Sequence, residues 1–154
     1  RTWRRGTTRN PLRNPTRVPI VGTMTGAAPL VLVYSSNARH RAEITAALGT
    51  RPAPDRPPIT VLEAATAPAV IARLDEGGVA LVVLDGEAAP AGGMGLARQV
   101  RDEIEPCPPL LVITARRADG WLARWSQADD WVSHPLDPFE LAGAAGRLLA
   151  TATL

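Results

Sequence analysis

Asp85 closes the apolar run Val79–Leu84 and is followed directly by Gly86. A carboxylate delivered to the mouth of a sheet can attack as a nucleophile or hold a hard cation. An aspartate at a strand end can also simply cap a loop. Other reactive side chains fall in similar places. Ser35 and Ser36 follow the run PLVLVY, Thr114 ends PLLVIT, and His134 follows Trp131–Ser133. Glu87, two residues past Asp85, offers one further carboxylate. Omissions narrow the chemistry. The chain has no Lys, and its one Cys, Cys107, excludes an internal disulfide and a cysteine-rich metal site. There is no Gly-x-Ser-x-Gly, and Cys107 sits on a proline-flanked loop at the wrong end for a Cys–His pair. A hydrolase is therefore not expected, and the chain reads as a non-enzyme.

The elements that must position these residues alternate from Ala28 onward. Pro29–Tyr34 reads as a buried strand, and residues 38–48 as a helix with Ile44 and Leu48 four apart and Gly49 as its stop. Residues 51–58 hold four prolines and must be a loop. Ile59–Ala64 is a second strand, and Ala67–Glu76 a helix with Val70, Ile71 and Leu74 on one face. Val79–Leu84 is the third strand. Leu96, Val100 and Ile104 recur every four residues in an amphipathic helix, and Pro109–Thr114 is the fourth strand. Residues 120–127 carry Trp121 and Trp125 four apart, and Trp131–Ser133 is a short fifth strand. Asp137, Pro138 and Glu140 then open the last helix with a cap, a first-turn proline and a first-turn acid. Five β-α units with continuously apolar central strands predict a doubly wound α/β fold around a parallel sheet. Sites in such sheets lie beyond the carboxyl ends of the strands, where strand order reverses. That rule gathers Ser35, Ser36, Thr66, Asp85, Glu87, Thr114, Ala115 and His134 onto one rim.

Four stretches, in order, carry a family resemblance: Leu81–Asp85, Pro90…Gly95-Leu96, Ile113-Thr114-Ala115, and Ala128-Asp129-Asp130-Trp131-Val132-Ser133-His134-Pro135-Leu136. Together they resemble the receiver domains of two-component response regulators over residues 29–150, with single-domain actinobacterial members as the expected relatives. The resemblance implies the flavodoxin-like strand order 2-1-3-4-5. It implies that Asp85 is the phosphoacceptor for a partner histidine kinase, Thr114 the switch hydroxyl and Trp131 the switch aromatic. It also implies a cis His134-Pro135 bond. Two parts of the family pattern are missing. Ser35 and Ser36 replace the acidic pair that helps the aspartate hold Mg²⁺, leaving Asp85 and Glu87 as the only carboxylates for a weakened or absent metal site. His134 replaces the lysine that pairs with the phosphoryl group, and Arg116 or Arg117 could take its place only by looping back. Both missing parts stabilise the phosphoryl transition state, so Asp85 is expected to phosphorylate slowly or not at all. Two versions stay open: a switch through Asp85, or a constitutive module whose pocket is vestigial.

All 17 basic residues are Arg, and their distribution is uneven. Residues 1–23 carry six Arg and no acid, for +6, whereas the chain from Met24 on sums to −4. Residues 1–27 read as a disordered Arg-rich tail. It is either a phosphate-neutralising arm or, with Met24 as the start, an untranslated extension. Residues 28–150 form the receiver-like domain, with no output domain expected after it and no nucleic-acid binding by the domain itself. No apolar run reaches the roughly 18 residues of a membrane span, and no secretory h-region opens the chain, so a cytoplasmic location is expected. Trp121, Trp125 and Trp131 cluster where receivers meet partners. One or two of the three are expected to bury, and Trp121 and Trp125 not both. This leaves a patch for the kinase, a downstream protein or a homodimer on the face of the fourth helix, fifth strand and fifth helix. The alternative function is an FMN-binding electron carrier of the same topology. Ser35-Ser36-Asn37 faintly echoes a phosphate loop but lacks glycine, and only six aromatics are available to sandwich a flavin.

Overall fold

A computed structural model describes residues 28–89 and 92–152. The expected tail, 1–27, lies outside the described residues, as does the Pro90 end of the Pro90…Gly95 stretch. In chain order the elements are β1 (Leu30–Tyr34), α1 (Ala38–Leu48), β2 (Thr60–Ala64), α2 (Ala67–Asp75), β3 (Val79–Asp85) and α3 (Gly93–Glu103). Then come β4 (Leu110–Thr114), a 3-10 turn (Arg117–Asp119), α4 (Gly120–Trp125), β5 (Asp130–Ser133) and α5 (Pro138–Ala152). All strand pairs are parallel, in the order β2-β1-β3-β4-β5. The expected class and strand order are thus the observed ones. The His134-Pro135 bond is cis, as the resemblance implied.

Boundaries differ in small ways that have local causes. Ile104, read as the last residue of a helical period, is instead extended and ends α3, its N–H reaching the Val100 carbonyl. The Glu105-Pro106 step that follows disfavours further helix. α4 is only six residues long, because Ser126 caps it and Gln127 adopts a positive φ.

Successive strand residues point to opposite faces, and both faces are covered. Leu32, Tyr34, Val82, Leu84 and Val112 pack with Val70, Leu96 and Val100 on one side. Val31, Val33, Leu81, Val83 and Ile113 pack with Ile44, Leu48, Leu141 and Leu149 on the other. This two-sided burial explains why β3 is apolar throughout until Asp85. The approach of α3 to the end of β3 is equally tight. A Cβ on Gly93 would lie 2.5 Å from the Asp85 carbonyl oxygen, so only glycine lets α3 start there. The backbone that carries Asp85 is thereby fixed on two sides.

Candidate functional site

β3 delivers Asp85 to the carboxyl rim of the sheet, where its side chain is only 2% exposed. Buried carboxylates are costly unless hydrogen-bonded, and both oxygens of this one accept hydrogen bonds. Oδ2 accepts from Ser35 Oγ at 2.7 Å and from His40 Nδ1 at 3.1 Å. Oδ1 accepts from the Glu87 backbone N–H at 2.9 Å. Each donor follows from local structure. Tyr34 pairs with Leu84 in the β1–β3 register, so the next residue, Ser35, falls beside Asp85. Ser35 Oγ in turn accepts from the Asn37 N–H at 3.1 Å. Asn37 caps α1, its Oδ1 accepting from the N–H groups of Arg39 and His40. That cap sets the first turn of α1 and places the His40 ring over the carboxylate. His134 lies alongside, its ring centroid 6.1 Å from that of His40 and tilted by 45°.

The remaining expected residues divide. Ser36 does not reach Asp85; its exposed hydroxyl accepts from the Ala89 N–H at 3.0 Å and ties down the β3–α3 loop. Glu87 contributes its backbone only, with an exposed side chain. Thr114 is buried, but its hydroxyl lies 2.9 Å from the Arg116 carbonyl and 2.9 Å from Ser133 Oγ, bonded to the segment after β4 and to neighbouring β5. Thr66 caps α2 through the Ala69 N–H. Arg116 pairs with Asp119 at 3.1 Å and is 76% exposed, so it does not stand in for the absent lysine.

The tryptophans correct one expectation. None of the three buries fully. Trp131 is half-buried, its ring against Gly120, where an added Cβ would lie 2.3 Å from the indole. Trp121 and Trp125 are 63% and 55% exposed. The inward face of the short α4 is made by Gly120 and Ala123, which leaves no room for a large ring. Arg98 lies 4.6 Å from the centre of the Trp125 ring and donates to the Trp125 carbonyl at 2.8 Å.

His40 is the site residue that sequence reasoning missed. It sits in a run of polar and basic residues, ARHRAE, that reads as a solvated helix face. The available signal was its place in the first turn after β1, on the rim where sites form.

The residues present do not fit Mg²⁺. That ion demands near-octahedral oxygen ligation anchored by carboxylates. Here a single buried carboxylate already accepts from three protein donors, a neutral serine and an imidazole among them. Among the described residues no group of three His, Cys, Asp or Glu side chains could hold a metal ion. The electrostatics are felt by Tyr34, whose phenol is pushed above its ordinary pKa by burial first and by the Asp85 charge second. Cys107 lines a cleft of about 680 Å³ at the amino ends of the strands, away from Asp85. Burial, chiefly, pushes its thiol up as well. No helix of the described residues is long and apolar enough to cross a membrane.

No protein-family model matches the chain. Two curated relatives, both uncharacterized response regulatory proteins from strains of Mycobacterium tuberculosis, are each 50% identical over 119 residues. That match covers 77% of this chain and 90% of theirs. Among solved structures, the receiver (CheY-like) domain protein of Methanospirillum hungatei is similar with TM-score 0.66 and 16% identity, covering 82% of this chain and 98% of that one. The receiver of a Saccharomyces cerevisiae response regulator, co-crystallised with a histidine phosphotransfer protein, gives TM-score 0.68 at 18% identity, covering 82% and 92%. A two-component response regulator/GGDEF domain protein gives TM-score 0.69 at 22% identity; 82% of this chain is covered, but it spans only about half, 51%, of that protein. At these identities the solved structures speak for the fold.

Proposed function

This chain belongs to the response-regulator receiver family of two-component signalling, and on that premise we propose that it signals by protein contact with its phosphoryl-transfer pocket closed. Receivers are in general signalling modules rather than enzymes, and the flavin-carrier alternative is not favoured by these relatives. The observation that carries the reading is the state of Asp85. The residue in the phosphoacceptor position spends both oxygens on Ser35, His40 and the Glu87 N–H. To attack a phosphodonor it would have to break bonds that nothing else in the pocket replaces. The stabilisers of the transition state are also missing: serines stand in place of the acidic pair, and His134 in place of the lysine.

The relay beyond the pocket is uncoupled in the same way. Thr114 at the switch-hydroxyl position bonds Arg116 and Ser133, and Trp131 at the switch-aromatic position rests on Gly120. Residues 28–150 are then a unit whose α4–β5–α5 face is permanently set, and exposed Trp121 and Trp125 on α4 are its contact residues. The occupant of that face is a downstream protein or kinase, with a second copy of the chain as the other possibility. The setting is cytoplasmic, and the domain itself does not bind nucleic acid.

The test is intact mass of the full chain with Mg²⁺ and acetyl phosphate, beside Asp85→Ala. No adduct is expected in either. A gain of about 80 Da, one phosphoryl group, that disappears in the variant would make this a working receiver switched through Asp85.

A further inference from the structure

The outer side of α4 carries charge as well as aromatic surface. Arg117 lies four residues before Trp121, Arg124 three after it and Trp125 four after it, so the 3-10 turn and α4 set the four along one side, opposite buried Gly120 and Ala123. All four are exposed. Arg98 of α3 joins them, with its guanidinium 4.6 Å from the centre of the Trp125 ring. Among the described residues no carboxylate pairs with Arg98, Arg117 or Arg124. The acids that flank α4 in the chain are already held, Asp119 by Arg116 at 3.1 Å and Asp129 by Arg101 at 2.8 Å. The result is a cationic aromatic patch on a chain that sums to −4 from Met24 on.

Resting on the contact reading above, we propose that this patch takes an acidic amphipathic segment of a partner protein, with carboxylates on Arg117 and Arg124 and aliphatic side chains against the indoles. Tryptophan and arginine are the residues that concentrate binding energy at interfaces. Arg98 already covers one face of Trp125, so Trp121 is the apolar anchor. Charge complementarity fixes the sign of the occupant.

The same charges argue against the other occupants. A symmetric dimer would set this patch against itself, bringing Arg117 and Arg124 toward their own counterparts with no carboxylate between them. Nucleic acid is a poorer match, because proteins that track its backbone neutralise about six to ten phosphates, and three cations on a net acidic domain do not supply that.

The probe is a synthetic amphipathic peptide of Glu and Leu at helical spacing, beside a counterpart with Gln for Glu, titrated into the full chain and read by fluorescence anisotropy. The Glu peptide should bind with a dissociation constant below about 1 mM and the Gln peptide about tenfold more weakly. Raising NaCl from about 50 mM to about 500 mM should narrow that difference. Residues 1–23 hold six Arg and can also attract the Glu peptide, so the affinity that counts is what changes on α4 remove. Arg117→Gln with Arg124→Gln should weaken the Glu peptide about fivefold or more and leave the Gln peptide unchanged. Trp121→Ala should weaken both by about tenfold. In the unaltered chain, nitrogen-15 spectra should show the Glu peptide shifting the indole signals of Trp121 and Trp125 but not that of Trp131, a readout that stands even where a variant misfolds. Equal affinity for the two peptides, affinity unchanged in the double arginine variant, or an unmoved Trp121 signal would overturn the acidic occupant. Self-association lost in Trp121→Ala, or an oligothymidylate bound more tightly than the Glu peptide, would overturn it in favour of a second copy or of nucleic acid. A phosphoryl adduct on Asp85 would refute the closed pocket and leave this patch standing, whereas failure of the peptide refutes the patch and leaves the pocket closed.

Discussion

Ser35→Asp puts half of the missing acidic pair back, and its effect can be worked from the pocket. Ser35 is fully buried, with its Oγ 2.7 Å from Asp85 Oδ2. The longer aspartate side chain would bring two carboxylates within about 4 Å of each other, where like charges repel by about 1 kcal/mol in water and about 4 kcal/mol at an effective dielectric of 20. Asp85 also loses a hydroxyl donor, worth about 1 kcal/mol net. His40 is the one side-chain donor that remains to offset this. The variant should therefore be destabilised by about 2–5 kcal/mol near neutral pH. At about 4 °C per kcal/mol for a domain of this size, its melting temperature should fall by roughly 8–20 °C. Mg²⁺ should recover part of the loss, because paired carboxylates are what a hard cation needs. At ten times its dissociation constant the ion returns about 1.4 kcal/mol. Thermal unfolding followed by far-ultraviolet circular dichroism, with and without Mg²⁺, reads both effects. The wild type should show no Mg²⁺-dependent shift. A variant that melts with the wild type in metal-free buffer, or a wild type stabilised by Mg²⁺, would refute the picture of a pocket closed around one carboxylate.

Two further predictions test the surroundings. Tyr34 is the chain's one tyrosine, so its phenol can be titrated by ultraviolet absorbance. It should ionise above the free value of about 10, because burial and then the Asp85 charge disfavour phenolate. The corresponding stability is fully present below pH ~10 and is lost as pH rises through the folded value. Asp85→Asn should lower the Tyr34 pKa without bringing it to the free value, and native-state ionisation at the free value would contradict its placement. On α4, Gly120→Ala should cost about 1–3 kcal/mol, since the new methyl would lie 2.3 Å from the Trp131 ring. Trp121→Ala, at 63% exposure, should cost no more than about 0.5 kcal/mol in urea midpoint at constant slope. A large loss at Trp121 would place it in the core and remove it as a contact residue.

The fold was legible because β3 and β4 are apolar on both faces and can only be central strands. The strand-end rule then marked Asp85, Ser35, Thr114 and His134 before any contact was known. What stayed hidden is of another kind. Which way a hydroxyl turns depends on acceptors brought by distant segments, so Thr114 could not be read as bonded to Arg116 and Ser133. His40 lies between Arg39 and Arg41 and looks like part of a solvated face. It becomes a pocket residue only because Asn37 caps the helix where Ser35 meets Asp85. For Trp121 and Trp125 the sequence says that both cannot bury, but not which ring faces in. In so short a helix the small residues Gly120 and Ala123 face in, and the rings go out.

The substitutions at the rim make sense only as a set. A buried aspartate stripped of both its cation and its lysine would carry an uncompensated charge, which proteins do not tolerate cheaply. Ser35 and His40 supply donors to the oxygen those partners would otherwise neutralise, and the Glu87 N–H holds the other. The carboxylate then serves as a joint between β1, β3 and the first turn of α1. That account also explains why Asp85 can persist without its chemistry, since removing it would orphan the buried Ser35 hydroxyl and leave the His40 ring without its acceptor. It further implies that the old chemistry cannot be restored one residue at a time. Ser35→Asp creates a place for a cation but leaves His134 where the lysine belongs, while lysine at position 134 would face a carboxylate already satisfied by His40. Ser35→Asp breaks a bond of the present set before it completes any part of the former one.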